Sequence, residues 1–433
     1  MKLVFPILRM NWYRVVASTI EAALAAGHEV ECWHGVGGLH YPANRPCRER
    51  MPRFRRGQPA VVDFESDEEF LRAAADRRPD AVISISPPWN AGIAARFSGQ
   101  RPPALWVTLL TNDTLLAATR EQVEAMGLIV FRTEHEMNCV CADHENPQTA
   151  IVRGGQRIVW DEATFRHLRA HAVRTGYPLL DTALNLDGAA IRSKWGIPAD
   201  VPVVGCLASP YGNVYQASWE KAFAARSWTG WRYWNGKRLG WSGAWRPPPN
   251  EKQVMYALRR FCDRNGAFLA IKLRHSQEAA PWIGRVADKI LGEESHYPHT
   301  SIELAAIAKV MFGFFTTGAS ETIAAGCPYV DLSIPGLREG LSPVLSASLK
   351  DSFGYPGAAG EMDAREWVAR VETLSLADLR MEEKTRQIYA ERFCGPLDGR
   401  HSERLVHAVE HVVLGTPPTD IPCDERGIAR LPS

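Results

Sequence analysis

The sequence predicts an α/β protein with two tandem Rossmann-like domains, each a doubly wound parallel sheet covered by helices. Short apolar runs of strand length alternate with helical stretches along most of the chain. The alternation restarts after residue 183, and 433 residues exceed the roughly 100–200 that one domain usually holds. Hydrophobic residues make up 45% and charged residues 23%, as in ordinary globular proteins.

The first domain is predicted over residues 1–183. An apolar run at 2–8, a helix over 12–26 that Gly27 ends, and a strand over 28–33 form a right-handed βαβ unit. Further strands are predicted over 81–86, 102–110 and 128–134, and further helices over 67–80 and 120–127.

The second domain is predicted over residues 184–400, with an insertion at 211–249. Residues 201–210 are predicted to form a strand followed by a loop, and further strands are predicted over 267–275, 310–318 and 328–335. Helices are predicted over 189–197, 252–266, 301–309 and 319–326. Residues 401–433 are predicted to form a C-terminal helix and a Pro-rich tail, which we expect to be loosely held.

Composition excludes several classes of protein. A formal net charge of +1 argues against bulk binding of nucleic acid. No apolar run approaches the ~20 residues of a membrane span, and the N-terminus lacks the features of a signal peptide. Nine scattered cysteines fit free thiols in a reducing compartment, so we expect a cytoplasmic protein.

The cysteine pair Cys139 and Cys141 is followed by Asp143 and His144. This spacing matches no common zinc pattern and lacks a second pair of ligands. We therefore expect no metal site.

The run of residues 296–332 carries the strongest functional signal. A predicted buried strand ends in small residues, and a helix starts directly after them. Such a turn lets a phosphate approach the backbone, and the helix N-terminus attracts an anion. We predict that this turn binds a nucleotide-activated donor through Thr317, Gly318, Ala319, Ser320 and Glu321, with Glu321 accepting hydrogen bonds from ribose hydroxyls. The alternative is an ordinary helix cap.

The same run resembles the donor-binding segment of two-domain glycosyltransferases of the GT-B fold. The similar positions are Ser320, Glu321, Ala324, Ala325, Gly326 and Pro328. Residues 175–181 (TGYPLLD) and a helix ending in KWGIP resemble the interdomain link of CDP-glycerol glycerophosphotransferases and UDP-N-acetylglucosamine 2-epimerases. The resemblance implies a GT-B architecture with the donor bound in the cleft between the domains.

The strand predicted over 267–275 also resembles a segment of these families. It ends in Lys272, Arg274 and His275, which would lie at the mouth of the cleft. Positive charge there suits a diphosphate leaving group, whereas ordinary solvated charge is the alternative. Catalysis in this fold would then need no metal and no cofactor, since the nucleotide sugar is itself a substrate.

An inverting enzyme of this kind needs one base from the first domain. Asp113 follows a predicted buried strand directly and is preferred slightly, with a helix cap as its alternative role. Glu134 and the neighbouring Glu136 follow another strand, and His34 lies beside glycines that suit an acceptor loop.

Two other segments suggest contacts with an acceptor or a membrane. Residues 211–249 contain six tryptophans among Arg, Lys and Gly, which suits stacking on sugars or a small separate core. Residues 47–56 (CRERMPRFRR) are basic and carry Phe54. We prefer a solvated loop for them, and peripheral contact with the inner face of the membrane is the alternative.

These features favour a glycosyltransferase that moves a sugar from a nucleotide-sugar donor to a glycan, a glycolipid or a small acceptor, in surface polysaccharide biosynthesis. Within the same fold, the alternatives are a polyol-phosphate transferase of the CDP-glycerol type and a nucleotide-sugar 2-epimerase. From a different class, the alternative is an inactive binding or scaffold protein, because a fold does not guarantee activity.

Overall fold

The computed structural model describes most of the chain. The described residues are 1–37, 44–99, 102–109, 118–145, 152–153, 156–208, 251–273, 279–292, 297–314, 316, 318–333, 351–352 and 354–432. Within them, two parallel sheets with interspersed helices confirm the predicted α/β fold with two doubly wound domains.

The first sheet has seven parallel strands in the order β3-β2-β1-β4-β5-β6-β9. The strands up to β6 are β1 (Lys2–Ile7), β2 (Glu29–Gly35), β3 (Ala60–Phe64), β4 (Ala81–Ser84), β5 (Leu105–Leu109) and β6 (Leu128–Phe131). A separate antiparallel pair, β7 (Val152–Arg153) and β8 (Gln156–Arg157), precedes β9 (Ala172–Arg174). The central strands are buried on both faces, which explains their continuous apolar runs.

Eight helices accompany this sheet and the link that follows it in the described chain. They are α1 (Tyr13–Ala25), α2 (Asp67–Arg77), α3 (Ala91–Phe97), α4 (Arg120–Glu124), α5 (Glu134–Glu145), α6 (Glu162–His171), α7 (Leu180–Leu184) and α8 (Gly188–Trp195). Polar caps set several of their starts. Ser66, Asn90 and Asp161 each accept a hydrogen bond from a backbone N–H in the first turn of α2, α3 and α6.

The second sheet has six parallel strands in the order β12-β11-β10-β13-β14-β15. They are β10 (Val203–Leu207), β11 (Phe268–Lys272), β12 (Lys289–Leu291), β13 (Ala308–Gly313), β14 (Tyr329–Ser333) and β15 (Ala359–Asp363). The accompanying helices are α9 (Glu251–Arg264), α10 (Thr300–Ile307), α11 (Gly318–Ala324), α12 (Ala364–Arg370), α13 (Glu383–Phe393) and α14 (His401–Val413).

Helix α14 returns to the first domain after the second sheet is complete. Its Leu405 and Val409 share one buried core with Val16 and Ile20 of α1. The segment after α14 is also packed: Ile421, Ile428 and Ala429 are buried, and the Ala429 N–H donates to the Arg174 carbonyl at 2.8 Å. The expectation of a loosely held tail is therefore wrong, because these apolar residues extend the core beside β9.

We looked for helices in the described chain that could span a membrane. None of its helices combines the length and the apolar character needed to cross a bilayer.

Candidate functional site

The site lies where the strand order of each sheet reverses. In the first sheet β1 lies between β2 and β4, and in the second sheet β10 lies between β11 and β13. Ligands of open α/β sheets bind beyond the carboxyl ends of strands at such switch points. Arg14 lies in the first turn of α1, shortly after β1, and Glu321 lies in α11, shortly after β13.

Arg14 and Glu321 meet across the boundary between the domains. The Arg14 guanidinium forms an ion pair and hydrogen bond with Oε1 of Glu321, and the Tyr177 hydroxyl donates to the same oxygen at 3.4 Å. The Glu321 side chain is 3% exposed, whereas that of Arg14 is 25% exposed. The second carboxylate oxygen, Oε2, is buried and has no hydrogen-bond partner among the described residues.

Tyr177 belongs to the link between the two sheets. Burial, and next the Glu321 carboxylate, raise the pKa of its hydroxyl, so it stays protonated and remains a donor. The Arg132 guanidinium lies 5.1 Å from the centre of its ring, and Arg132 is itself paired with Glu136 in the interior. Tyr177 is therefore fixed by a cation on its face and a carboxylate at its hydroxyl.

The TGYPLLD segment explains how the link crosses the molecule. Gly176 has φ +83°, and a Cβ at this position would lie 2.0 Å from Cδ2 of His401, so only glycine fits. The Pro178 carbonyl accepts from the Ser18 hydroxyl of α1 at 2.8 Å. The Asp181 carboxylate accepts from the backbone N–H groups that begin α14, at 2.9 and 2.6 Å, and so caps that helix. One short motif thus ties α1, the site and α14 together.

The turn predicted to bind phosphate begins α11, at the carboxyl end of β13. Thr316 acts as a cap there, since its hydroxyl accepts from the Gly318 N–H at 3.3 Å. A Cβ on Gly318 would lie 2.9 Å from Cδ1 of Leu207, so glycine allows the helix to approach β10 closely. Ala319 and Ser320 are buried with Glu321, and Thr317 lies outside the described residues. The structure thus shows the cap that was the alternative for this turn, and donor binding by the turn stays a prediction.

Of the predicted cationic cluster, the structure describes Lys272 alone. It is the last residue of β11 and is half-buried at the carboxyl edge of the sheet. Arg274 and His275 lie outside the described residues, as does the whole insertion at 211–249.

His34 lies inside β2 and is fully buried, so its predicted position on a glycine-rich loop is wrong. Its Nε2 lies 2.7 Å from the Tyr13 hydroxyl, and its Nδ1 lies 3.8 Å from an Asp63 carboxylate oxygen. Burial lowers the pKa of His34 to about 4 and raises that of Tyr13. The Tyr13 hydroxyl is therefore hydrogen-bonded to a neutral ring that has no exposed surface for a substrate.

The other two candidate bases are Glu134 and Asp113, and the structure describes only Glu134. Glu134 begins α5 rather than ending a strand, and its exposed carboxylate lies 3.1 Å from Arg174 in a surface ion pair. Asp113 lies outside the described residues. The structure does not bring Glu134 to Glu321, and the catalytic roles of Asp113 and Glu134 stay predictions.

The basic segment at 47–56 does not expose its aromatic residue. Phe54 is buried, and its ring stacks on Tyr297 of the second domain at 6.2 Å and contacts Tyr13. Its arginines at 48, 50, 53, 55 and 56 are exposed. Phe54 therefore belongs to the boundary between the domains and is no exposed aromatic anchor for a membrane.

Sequence reasoning missed Arg14 as a member of the site. A cation in the first turn of a helix opposes the helix dipole, so Arg14 at the start of the helix after the first strand indicates a partner elsewhere. Tyr177 was missed as well, because the TGYPLLD motif that contains it was interpreted only as the link between the domains.

Three solved structures show the same architecture. A variant of the wall teichoic acid polymerase TagF aligns with TM-score 0.58 at 9% identity, over 96% of this chain and 89% of its own. A putative UDP-N-acetylglucosamine 2-epimerase from Listeria monocytogenes aligns with TM-score 0.52 at 10% identity, over 99% of both chains. The S. aureus MnaA–UDP structure aligns with TM-score 0.50 at 12% identity, over 96% of this chain and 98% of its own.

No protein-family model matches the sequence, and no curated protein matches it. At identities of 9–12% the structural likeness concerns the fold. The fold implied by the sequence resemblance is thereby confirmed: the chain is a two-domain α/β protein of the GT-B fold, similar in architecture to TagF and to UDP-N-acetylglucosamine 2-epimerases.

Proposed function

We propose that the chain is a glycosyltransferase that moves a sugar from a nucleotide-sugar donor to a glycan, a glycolipid or a small acceptor in the cytoplasm. One observation carries the proposal. Glu321 lies between the domains, where the switch points of the two sheets face each other. Its Oε1 accepts from Arg14 and Tyr177, and its Oε2 is buried and has no hydrogen-bond partner among the described residues.

A buried carboxylate oxygen without a donor costs roughly 1–3 kcal/mol in lost solvation. A ligand hydroxyl that donates to Oε2 of Glu321 would recover this free energy. The ribose of a nucleotide supplies such hydroxyls. In the proposed complex the ribose lies next to the turn that begins α11. This supports Glu321 as the residue that recognises the nucleotide.

The leaving nucleotide carries the charge that must be neutralised. Arg14 is partly exposed at the domain boundary, and Lys272 lies at the end of the strand beside β10. Cations that face a departing diphosphate stabilise the charge that develops in the transition state. We propose that Arg14 and Lys272 do so together with Arg274 and His275.

Structures with the same fold support a nucleotide ligand. One of them is a complex of MnaA with UDP, and another is the H444N variant of TagF soaked with CDPG. The TagF likeness favours a second candidate function, transfer of a polyol phosphate from a CDP-activated donor. Both candidates use the same recognition of ribose by Glu321, and they differ in which bond of the donor breaks.

The experiment identifies the products formed from a panel of activated donors and mixed acceptors. A glycosyltransferase releases a nucleoside diphosphate, a CDP-polyol transferase releases CMP, and an epimerase changes the sugar without releasing a nucleotide. We expect release of a nucleoside diphosphate by the wild-type chain and loss of release in Glu321→Gln.

Asp113→Asn separates chemistry from binding in the same assay. If Asp113 is the base, this variant binds the donor normally and releases no product. A wild-type chain that binds nucleotides yet turns over no donor would contradict the enzyme proposal and favour a binding or scaffold protein.

A further inference from the structure

A second cluster of reactive side chains lies away from the Glu321 site, at another contact between the domains. His135 and Cys139 are one turn apart on the same face of α5, and Asp351 comes from the second domain, between β14 and β15 in the chain. Within the described residues, these three are the group whose nitrogen, sulfur and oxygen atoms converge, all within 4.8 Å of one another.

Both neighbours lie close to the histidine ring. His135 Nε2 lies 3.4 Å from Oδ2 of Asp351, and Sγ of Cys139 lies 3.6 Å from Nε2 and 3.9 Å from Nδ1. A sulfur so nearly equidistant from the two nitrogens lies off the axis of either lone pair, so it forms no well-aligned hydrogen bond with the ring. The arrangement therefore differs from a nucleophilic triad, in which the acid and the nucleophile are aligned with opposite nitrogens of the ring.

A tetrahedral metal ion provides one partner for all three ligand atoms. With zinc bonds of about 2.05 Å to nitrogen, 2.3 Å to sulfur and 2.1 Å to oxygen, the ligand atoms lie about 3.4–3.6 Å apart. Nε2 and Oδ2 of Asp351 already have this separation, at 3.4 Å. The imidazole must turn to point a lone pair at the ion, because Sγ of Cys139 lies off the axes of both ring nitrogens.

We propose that His135, Cys139 and Asp351 form a Zn²⁺ site that joins the two domains. Imidazole, thiolate and carboxylate together suit zinc better than magnesium or calcium, which prefer oxygen ligands. Three protein ligands leave a fourth position for water. The site differs from the cysteine pattern considered in the sequence, because Cys141 packs into the core of the first domain and His144 stacks on Trp160.

The surroundings favour a neutral imidazole and oppose a free thiolate. Burial, followed by the charge of Arg392, lowers the pKa of His135, and burial raises the pKa of Cys139 to about 11. Metal binding must therefore displace the thiol proton, so affinity increases with pH. The Phe393 ring meets the His135 ring edge to face at 5.2 Å.

Arg392 opposes the metal. Its Nη2 lies 3.4 Å from Oδ2 of Asp351, the oxygen that also faces His135. Its backbone carbonyl accepts from the Thr133 hydroxyl at 2.7 Å, so the domains touch here without the ion. A bound ion would replace the guanidinium as the partner of Asp351 and strengthen this contact.

The test is a titration of the chelator-stripped full-length chain with Co²⁺, a spectroscopic substitute for Zn²⁺. We expect one equivalent to produce the absorption of a thiolate–cobalt bond, and Zn²⁺ to displace it. The band should disappear in Cys139→Ser and weaken strongly in Asp351→Asn, and Arg392→Met should shift the titration to lower Co²⁺. Cys141→Ser, which changes a neighbouring buried thiol, should leave it intact.

Wild-type protein without a thiolate–cobalt band would overturn the proposal, as would a band that survives in Cys139→Ser. Because Cys139 is buried, its replacement is accompanied by a folding check in chelator. Asp351 is exposed, so Asp351→Asn decides the matter even if the cysteine variant folds poorly. A band of equal strength and affinity in Asp351→Asn would remove the second domain from the site.

Discussion

Replacing Gly176 with alanine tests whether the link crosses the molecule as described. The glycine has φ +83°, a conformation that costs an L-residue about 1–2 kcal/mol. In addition, the new Cβ would lie 2.0 Å from Cδ2 of His401. That ring cannot move away freely, because it is buried and its Nδ1 lies 2.9 Å from the Asp181 carboxylate.

The two contributions can be separated with a matched control. Gly196 ends α8 with φ +66°, and a Cβ there meets nothing within 4 Å. Gly196→Ala should therefore cost only the conformational term of about 1–2 kcal/mol. Overpacking adds about 1–3 kcal/mol at Gly176, so Gly176→Ala should be the more destabilising variant by that amount.

The assay is thermal and denaturant unfolding of the two variants beside the wild type under identical conditions. We expect the midpoint of Gly176→Ala to fall clearly below that of Gly196→Ala. Equal midpoints would refute the tight crossing of residue 176 and α14, and with it the placement of Tyr177 that depends on the same turn.

Three further variants test other contacts. Asp181→Asn exchanges a carboxylate oxygen at the start of α14 for an amide, which should lower stability by about 1–3 kcal/mol in unfolding experiments. Glu136→Ala leaves Arg132 buried without its partner and should cost about 3–5 kcal/mol, whereas Glu124→Ala, in an exposed pair, should cost less than about 1 kcal/mol. Burial lowers the pKa of His34 from 6.5 to about 4, so only the unfolded chain binds this proton in that window, and stability falls as the pH drops from 6.5 towards 4. His34→Gln removes this titrating group. The free energy of unfolding of the variant should therefore fall less steeply over this pH range than that of the wild type, by up to about 1.4 kcal/mol per pH unit. The same pH dependence in both proteins would contradict the assignment.

Much of the fold follows from local sequence. Apolar runs such as 81–84 and 203–207 form buried parallel strands, and Gly27 follows the end of a helix with positive φ, as predicted. The helix predicted over 189–197 ends two residues earlier, because Gly196 has positive φ and caps it. Strands β3 and β15 were not predicted, because AVVDF and AGEMD mix polar with apolar residues at the edges of their sheets. Edge strands face solvent and so lack the apolar signal of central strands.

The site was predictable only in part for a similar reason. The turn at Glu321 is visible because a strand, small residues and a helix follow one another locally. Its partners Arg14 and Tyr177 are separated from it by 307 and 144 residues, so only tertiary structure brings them together. The His135–Cys139 pair was overlooked because α5 was not predicted as a helix, and one-turn spacing has meaning only on a helix.

The most direct test of the central claim is a thermal-shift panel of UDP, GDP, CDP, TDP and CMP with wild type, Glu321→Gln and the distant control Glu124→Gln. A nucleotide at a hundred times its dissociation constant stabilises the folded chain by about 2.7 kcal/mol. We predict a rise in midpoint with one base, retained in Glu124→Gln and lost in Glu321→Gln. A flat panel, or the same rise in Glu321→Gln, would contradict the assignment of Glu321 as the nucleotide site.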